Sequence, residues 1–241
     1  MDNLDKSLLI LGCGYVGSAI AEQFPNARST HRNIFELSRR ENWKNEILRP
    51  FSNGIILWTF PAASTLEEEA LAIELYDTFF RGFKVFIYGS TSSYLVQHED
   101  EYVTEETPLA MSQVRTRTEE RLRQRGACIL QLSGIFGPGR DPVNWYERGL
   151  IRSGLSYLNL IHLQDIVSIT KRIFDSNRVS GERFNLSNGR PRTHMEIVEL
   201  LKKSGRLPKE FLLPELRKSG SKRVRNDKLK AFLSLTDDDF T

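Results

Sequence analysis

Leu8-Leu9-Ile10-Leu11 is an unbroken apolar run that stops at Gly12, after which apolar residues recur at Val16, Ala19, Ile20 and Phe24. The run predicts a strand buried on both faces, and the later spacing predicts one face of a helix. Ile34 to Leu48 predicts a second helix, with Phe35, Leu37, Trp43, Ile47 and Leu48 apolar and Pro50 beyond its end. Gly54 to Pro61 reads as the next strand, and Thr65 with Glu68 as a capping box opening a helix through Phe80. Lys84 to Gly89 predicts a strand, Ser112 to Arg125 a charged helix, and Cys128 to Leu132 a further strand. Strands alternating with helices at this spacing predict an α/β protein with a doubly wound parallel sheet.

Beyond Ser133 the alternation loosens. Gly134 to Pro142 reads as a turn-rich loop, Leu158 to Leu160 as a short strand and Leu163 to Phe174 as a helix. Glu182 to Leu186 predicts a strand, and Thr193 with Glu196 caps a helix running to Lys203. The expected organisation is a core over residues 1–135 and a small C-terminal substrate lobe over 136–241, with segments returning to the core. Open α/β sheets bind ligands beyond the carboxyl ends of their strands, where such a lobe would lie.

Gly12, Gly14 and Gly17 have the G-x-G-x-x-G spacing between the first strand and the first helix. In a Rossmann-type turn the first glycine permits the bend, the second lets a pyrophosphate approach the backbone, and the third lets helix and strand pack closely. The cofactor candidates are therefore Gly12, Cys13, Gly14, Tyr15, Val16 and Gly17, with the helix dipole favouring an anion by ~0.3 to 2 kcal/mol. An Asp or Glu about 20 residues on would bind a ribose 2′-hydroxyl. Between Glu22 and Glu36 no acid occurs, and Thr30, His31 and Arg32 stand there instead. The guanidinium fork of Arg32 suits a 2′-phosphate, so NADP is expected, with His31 beside it and NAD as the alternative.

With 241 residues, 39% hydrophobic and 27% charged, the chain can bury a sizeable core, and no apolar run approaches a membrane span. Met1-Asp2-Asn3-Leu4-Asp5-Lys6 is unlike a secretory or transit leader, so a cytoplasmic location is expected. Two cysteines, Cys13 and Cys128, support neither a disulfide framework nor a metal site. The net charge of +3 conceals a basic block: Lys202 to Lys230 holds eleven Lys or Arg against Glu210, Glu215 and Asp227. Solvated charge is the ordinary explanation, and no nucleic-acid-binding signature accompanies it.

Further stretches fall in a recognisable order: Tyr88-Gly89-Ser90-Thr91-Ser92-Ser93-Tyr94, Thr104-Glu105-Glu106-Thr107-Pro108, and Leu132-Ser133-Gly134-Ile135-Phe136-Gly137-Pro138-Gly139-Arg140. Ile161 to Val167, Phe184 to Ser187 and Lys222 to Leu229 follow. With the glycine turn, these resemble the extended short-chain dehydrogenase/reductase superfamily in its NAD-dependent epimerase/dehydratase branch, nearly end to end. The resemblance implies a dinucleotide cofactor, a small-molecule carbonyl, hydroxyl or nucleotide-sugar substrate, and a subunit that can dimerise. It implies Thr91 as the hydroxyl that polarises the substrate oxygen, with Ser90 and Ser92 as neighbours. Thr59, Pro61 and Ser90 join the cofactor candidates; Ser92, Tyr94, Arg140 and Arg223 are the substrate candidates, with Arg225 a further anion contact.

The family's Tyr-x-x-x-Lys pair is missing. Val114 stands at the Tyr position and Thr118 at the Lys position, and no Tyr lies between Tyr102 and Tyr146 and no Lys between Lys84 and Lys171. General acid or base catalysis supplies ~3 to 5.5 kcal/mol of barrier lowering, so ordinary hydride transfer is expected to be severely impaired. Tyr94, Tyr102 and His98 are candidate substitutes, and Arg115 or Arg117 could restore the lost charge, though an Arg cannot act as a base. Beside Glu119, Glu120, Arg121 and Arg123 these arginines read as an exposed, ion-paired helix, and His162 between apolar neighbours reads as structural. Two functions follow: a divergent NAD(P)-dependent oxidoreductase or epimerase, and a catalytically degenerate NADP(H)-binding module acting as a sensor or structural partner.

Overall fold

The computed structural model describes residues 7–30, 33–39 and 54–241. The first elements are β1 (Leu8–Leu11), α1 (Tyr15–Ala21), β2 (Arg28–Ser29), α2 (Ile34–Leu37) and β3 (Ile55–Trp58). Next come α3 (Leu66–Leu75), one π-turn over Tyr76–Phe80, β4 (Lys84–Ser90), a 3-10 turn over Thr91–Ser93, and β5 (Glu101–Val103). α4 (Val114–Arg123), β6 (Cys128–Leu132), β7 (Gly134–Phe136), α5 (Pro142–Glu147), β8 (Tyr157–Leu158) and β9 (Leu160–His162) follow. The chain continues through α6 (Leu163–Phe174), β10 (Arg183–Leu186), β11 (Arg192–Thr193), α7 (His194–Lys203), β12 (Lys222–Val224) and α8 (Asp227–Leu233). Of the helix expected over 34–48, residues 40–48 lie outside the described residues.

Six strands form the main sheet in the order β10-β6-β4-β3-β1-β2, and β2, β1, β3 and β4 are mutually parallel. The chain leaves β1 toward β2 on one side and resumes at β3 on the other. This is the topological switch point of a doubly wound sheet, where a crevice opens beyond the carboxyl ends of β1 and β3. Gly12 follows one of these strands and Thr59 the other.

β1, β3, β4, β6 and β10 are buried because both faces are covered, while the edge strand β2 is exposed. Leu9, Leu11, Ile56, Trp58, Val85 and Ile87 pack on one face with Leu75, Phe80 and Leu122 from α3, its π-turn and α4. On the other, Phe174 of α6 stacks against Phe86 of β4 at 4.7 Å between centroids. Thr65 accepts the Glu68 N–H at 3.2 Å, as a cap should, but the Glu68 carboxylate takes the N–H of Ser64 rather than that of Thr65. At α7 the box is reciprocal: Thr193 accepts from Glu196 N–H at 3.2 Å and donates its own N–H to Glu196 at 2.6 Å.

The chain forms two units that interleave along the sequence. The first comprises Met1–Ser93, Ala110–Gln131 and Ile166–Phe184; the second comprises Tyr94–Leu109, Leu132–Asp165 and Asn185–Thr241. In the second, Tyr146, Ile197, Val198, Leu201 and Leu207 make one core and Tyr94, Val103 and Val224 a smaller one. Its strands pair in twos, β7 with β9 and β5 with β12, both parallel, and β8 with β11, antiparallel. The stretch from Gly134, expected as a loop, thus begins with a strand. No helix among the described residues is long and apolar enough to cross a membrane.

Candidate functional site

Three glycines shape the turn after β1, for two different reasons. Gly12 has φ +91°, a region side chains rarely adopt, and a Cβ there would lie 2.8 Å from the Phe60 ring and 2.9 Å from Thr59 Oγ1. A Cβ on Gly17 would lie 2.4 Å from the Gly12 carbonyl oxygen. The fold itself demands glycine at both. Gly14 is the N-cap of α1 with φ −88° and ψ −162°, extended backbone open to any residue. It is exposed, and a Cβ there would meet no described atom within 4 Å.

Hydroxyls just beyond β2 and β3, and one on α1, hold the turn. The Gly12 N–H donates to Thr30 Oγ1 at 2.9 Å and the Cys13 N–H to the Thr30 carbonyl at 2.7 Å. Thr59 Oγ1 donates toward the carbonyls of Leu11, at 3.0 Å, and Gly12. Ser18 Oγ donates to the Cys13 carbonyl at 3.3 Å. Thr59, expected among the cofactor contacts, thus directs its hydroxyl to the turn, while Pro61 is exposed and Val16 is buried in the core. Tyr15 is half-buried; His31 and Arg32 lie outside the described residues. The clamping by Thr30 is not legible in the sequence, where its only signal is a β-branched hydroxyl just after β2.

At the end of β4, Ser90 accepts from the Ser92 N–H at 3.2 Å and the Ser92 hydroxyl at 2.9 Å, and Ser93 Oγ donates to the Ser90 carbonyl at 2.6 Å. Thr91 is buried and Ser92 exposed. The sequence placed these hydroxyls together, and the 3-10 turn keeps them so.

On α4, Thr118 is fully buried and its hydroxyl donates back to the Val114 carbonyl at 2.8 Å, a closed local pair at the two positions where the resemblance implies Tyr and Lys. The helix is ion-paired as expected, but the expectation that it is exposed is corrected: Thr116, Thr118, Glu119 and Leu122 are buried. Arg117 binds Glu69 of α3 at 2.7 Å and Arg121 binds it at 3.2 Å, and Glu69 is itself buried. The hydrogen bond from Arg117 holds the Glu69 carboxyl below its ordinary range, against burial, with Arg121 adding to it. Charge periodicity alone cannot separate a solvated face from an ion network between helices.

The remaining candidates belong to the second unit. Tyr94 is buried, and its hydroxyl donates to Asn185 Oδ1 at 2.5 Å. Asn185 in turn donates its N–H to Glu105 Oε1 at 2.8 Å and its amide to the Arg225 carbonyl at 3.0 Å. Burial raises the Glu105 carboxyl, partly offset by that N–H. Arg140 is exposed. Arg223 donates to the Asp100 carbonyl at 2.8 Å and lies 3.9 Å over the ring of Tyr102, a cation–π stack that leaves the ring 52% exposed. Arg225 pairs with Asp227 at 2.7 Å, His98 is exposed, and His162 packs edge-on to Phe136 at 4.9 Å.

The parallel sheet, its switch point and the glycine turn define the class: this is a Rossmann-type fold, and solved structures of short-chain dehydrogenase/reductase and epimerase/dehydratase proteins share it. A short-chain dehydrogenase/reductase superfamily protein from Agrobacterium tumefaciens with bound NAD matches at TM-score 0.69 and 15% identity, over 97% of this chain and 94% of its own. A dTDP-glucose 4,6-dehydratase from Bacillus anthracis in complex with NAD matches at TM-score 0.66 and 16% identity, over 95% and 91%. A functionally unknown conserved protein from Silicibacter pomeroyi matches at TM-score 0.66 and 20% identity, over 96% and 93%. Identities this low establish the shared fold. No family model and no curated protein matches the chain by sequence.

Proposed function

We propose that the chain binds a nicotinamide dinucleotide on the Gly12–Gly17 turn, with its pyrophosphate against Gly14. One observation carries this reading. Gly12 and Gly17 are required by the chain's own packing, but nothing described in the fold requires Gly14, which is exposed and has free space where a side chain would be. A bound phosphate approaching the backbone is what that space suits. The NAD named with two of the structural neighbours is in keeping with this choice of ligand. NADP is the proposed form, because Thr30, His31 and Arg32 occur where a carboxylate would repel a 2′-phosphate.

When bound, the nicotinamide would donate or accept a hydride. Thr91, with Ser90 and Ser92 beside it, is the hydroxyl that would bind a reacting oxygen, and Tyr94, Arg140 and Arg223 remain the proposed substrate side chains. The closed Val114–Thr118 pair favours the second reading, in which the cofactor is bound and sensed and turnover is weak or absent. Calorimetric titration with NADP(H) and NAD(H) tests binding; screening carbonyl and nucleotide-sugar substrates with wild type and Thr91→Val tests turnover. Activity abolished by Thr91→Val with cofactor affinity intact supports the enzyme, and binding without any turnover supports the module.

A further inference from the structure

Beneath the end of β4 lies a polar group that no part of the proposed function uses. Glu119 of α4 is 1% exposed, and Gln131 of β6 is 1% exposed. Glu119 Oε1 accepts from Arg115 Nε at 2.7 Å, and Arg115 also donates to the Tyr88 carbonyl at 3.2 Å. The other oxygen, Glu119 Oε2, has no hydrogen-bond partner among the described residues, and neither has Gln131 Oε1. Both converge on Gly89: a Cβ there would lie 2.5 Å from Gln131 Oε1 and 2.9 Å from Glu119 Oε2.

Two buried acceptors facing one point, with no donor bound to either among the described residues, are both desolvated and unpaired. A single proton resolves the conflict. We propose that Glu119 is held as a neutral carboxylic acid, whose Oε2–H donates to Gln131 Oε1 while its other oxygen accepts from Arg115. The acid and the amide then form a clasp across Gly89 that ties α4 to β4 and β6, one residue before the Ser90–Ser93 hydroxyls. Loss of that proton sets a carboxylate against the amide oxygen and loosens the clasp.

The surrounding charges are consistent with a neutral acid. Burial raises the Glu119 carboxyl, and this outweighs the opposing pull of Arg115 on its own helix and of Arg183 from β10. Arg183 is itself bound to Glu120. On β4 and β6 the facing positions are Gly89 and Gln131, which carry no charge. Gly89 is needed for the clasp, since any side chain would enter the space between the two oxygens.

The test uses the full chain and does not depend on the dinucleotide reading. Glu119→Gln places an NH2 where the acid O–H stood and keeps an acceptor for Arg115, so it should preserve the fold and the neutral-pH melting temperature. Glu119→Leu removes the acceptor of Arg115 Nε and the donor to Gln131 Oε1, and should lower that temperature by about 4 °C or more. The infrared carbonyl stretch of a protonated carboxylic acid should be present in wild type at neutral pH and missing in Glu119→Gln. Raising the pH should cost wild type stability as Glu119 ionises, whereas Glu119→Gln lacks that loss, because a raised carboxyl contributes stability only while protonated. An absent acid band, or a Glu119→Gln variant that is unfolded or as unstable as Glu119→Leu, would mean that Glu119 is ionised and the Gln131 amide is turned the other way, overturning the proposal.

Discussion

Gly17 and Gly12 approach so closely that a single added carbon on Gly17 would sit 2.4 Å from the Gly12 carbonyl oxygen. The obstacle is backbone and cannot swing aside. Gly17→Ala should therefore displace α1 from the turn and cost about 1–3 kcal/mol, as overpacking does. Gly14→Ala, with open space and permissive backbone, should change stability by less than about 1 kcal/mol. Urea unfolding of the two variants checks the contrast.

Glu69 is the common partner of Arg117 and Arg121, and it is the only one of the three that is buried. Glu69→Gln should lower stability by about 1–3 kcal/mol, since it removes charge-assisted bonds from a buried carboxylate. Its contribution is present above the ordinary carboxylate range and is lost as pH falls through its lowered folded value. A double-mutant cycle with Arg117→Ala measures the coupling.

The charge pattern of α4 shows where the sequence stops being informative. Buried β1, β3, β4 and β6 announce themselves as apolar runs, and the glycine spacing locates the turn, because burial and tight bends leave direct residue signatures. α4 carries the same Glu and Arg residues whether they face water or Glu69, so the direction of the face was lost. β5 and β12 pair Tyr102 with Arg223 across 121 positions of chain, and such nonlocal pairing of polar residues has no local period. The clamp from Thr30 to Gly12 N–H and the Glu119–Gln131 group were equally hidden, since each is defined by contacts between strands or between helix and strand.

His194 and Tyr146 form a buried pair in the second unit, 3.0 Å from hydroxyl to Nδ1, and burial pushes the His194 pKa down from 6.5 to about 4. The unfolded chain binds the proton first on acidification. Stability should therefore be full above pH ~6.5 and decline toward pH ~4, by up to ~3 kcal/mol. Denaturant unfolding across this range should show the decline, and His194→Phe should flatten it.

Tyr94→Phe removes the hydroxyl that donates to Asn185 Oδ1 inside a buried group. It should cost about 1–3 kcal/mol of stability. If Tyr94 also contacts substrate, any turnover falls beyond what the stability loss explains; thermal unfolding beside initial rates separates the two.

Dinucleotide binding at Gly14 is tested most directly by calorimetric titration of wild type and Gly14→Asp with NADP(H) and NAD(H) at matched ionic strength, since a 2′-phosphate contact is screened by salt. The expected result is binding to wild type with preference for NADP, and a loss of at least about tenfold, ~1.4 kcal/mol, in Gly14→Asp with an unchanged melting temperature. No binding to wild type, or equal binding to a folded Gly14→Asp, would contradict the account.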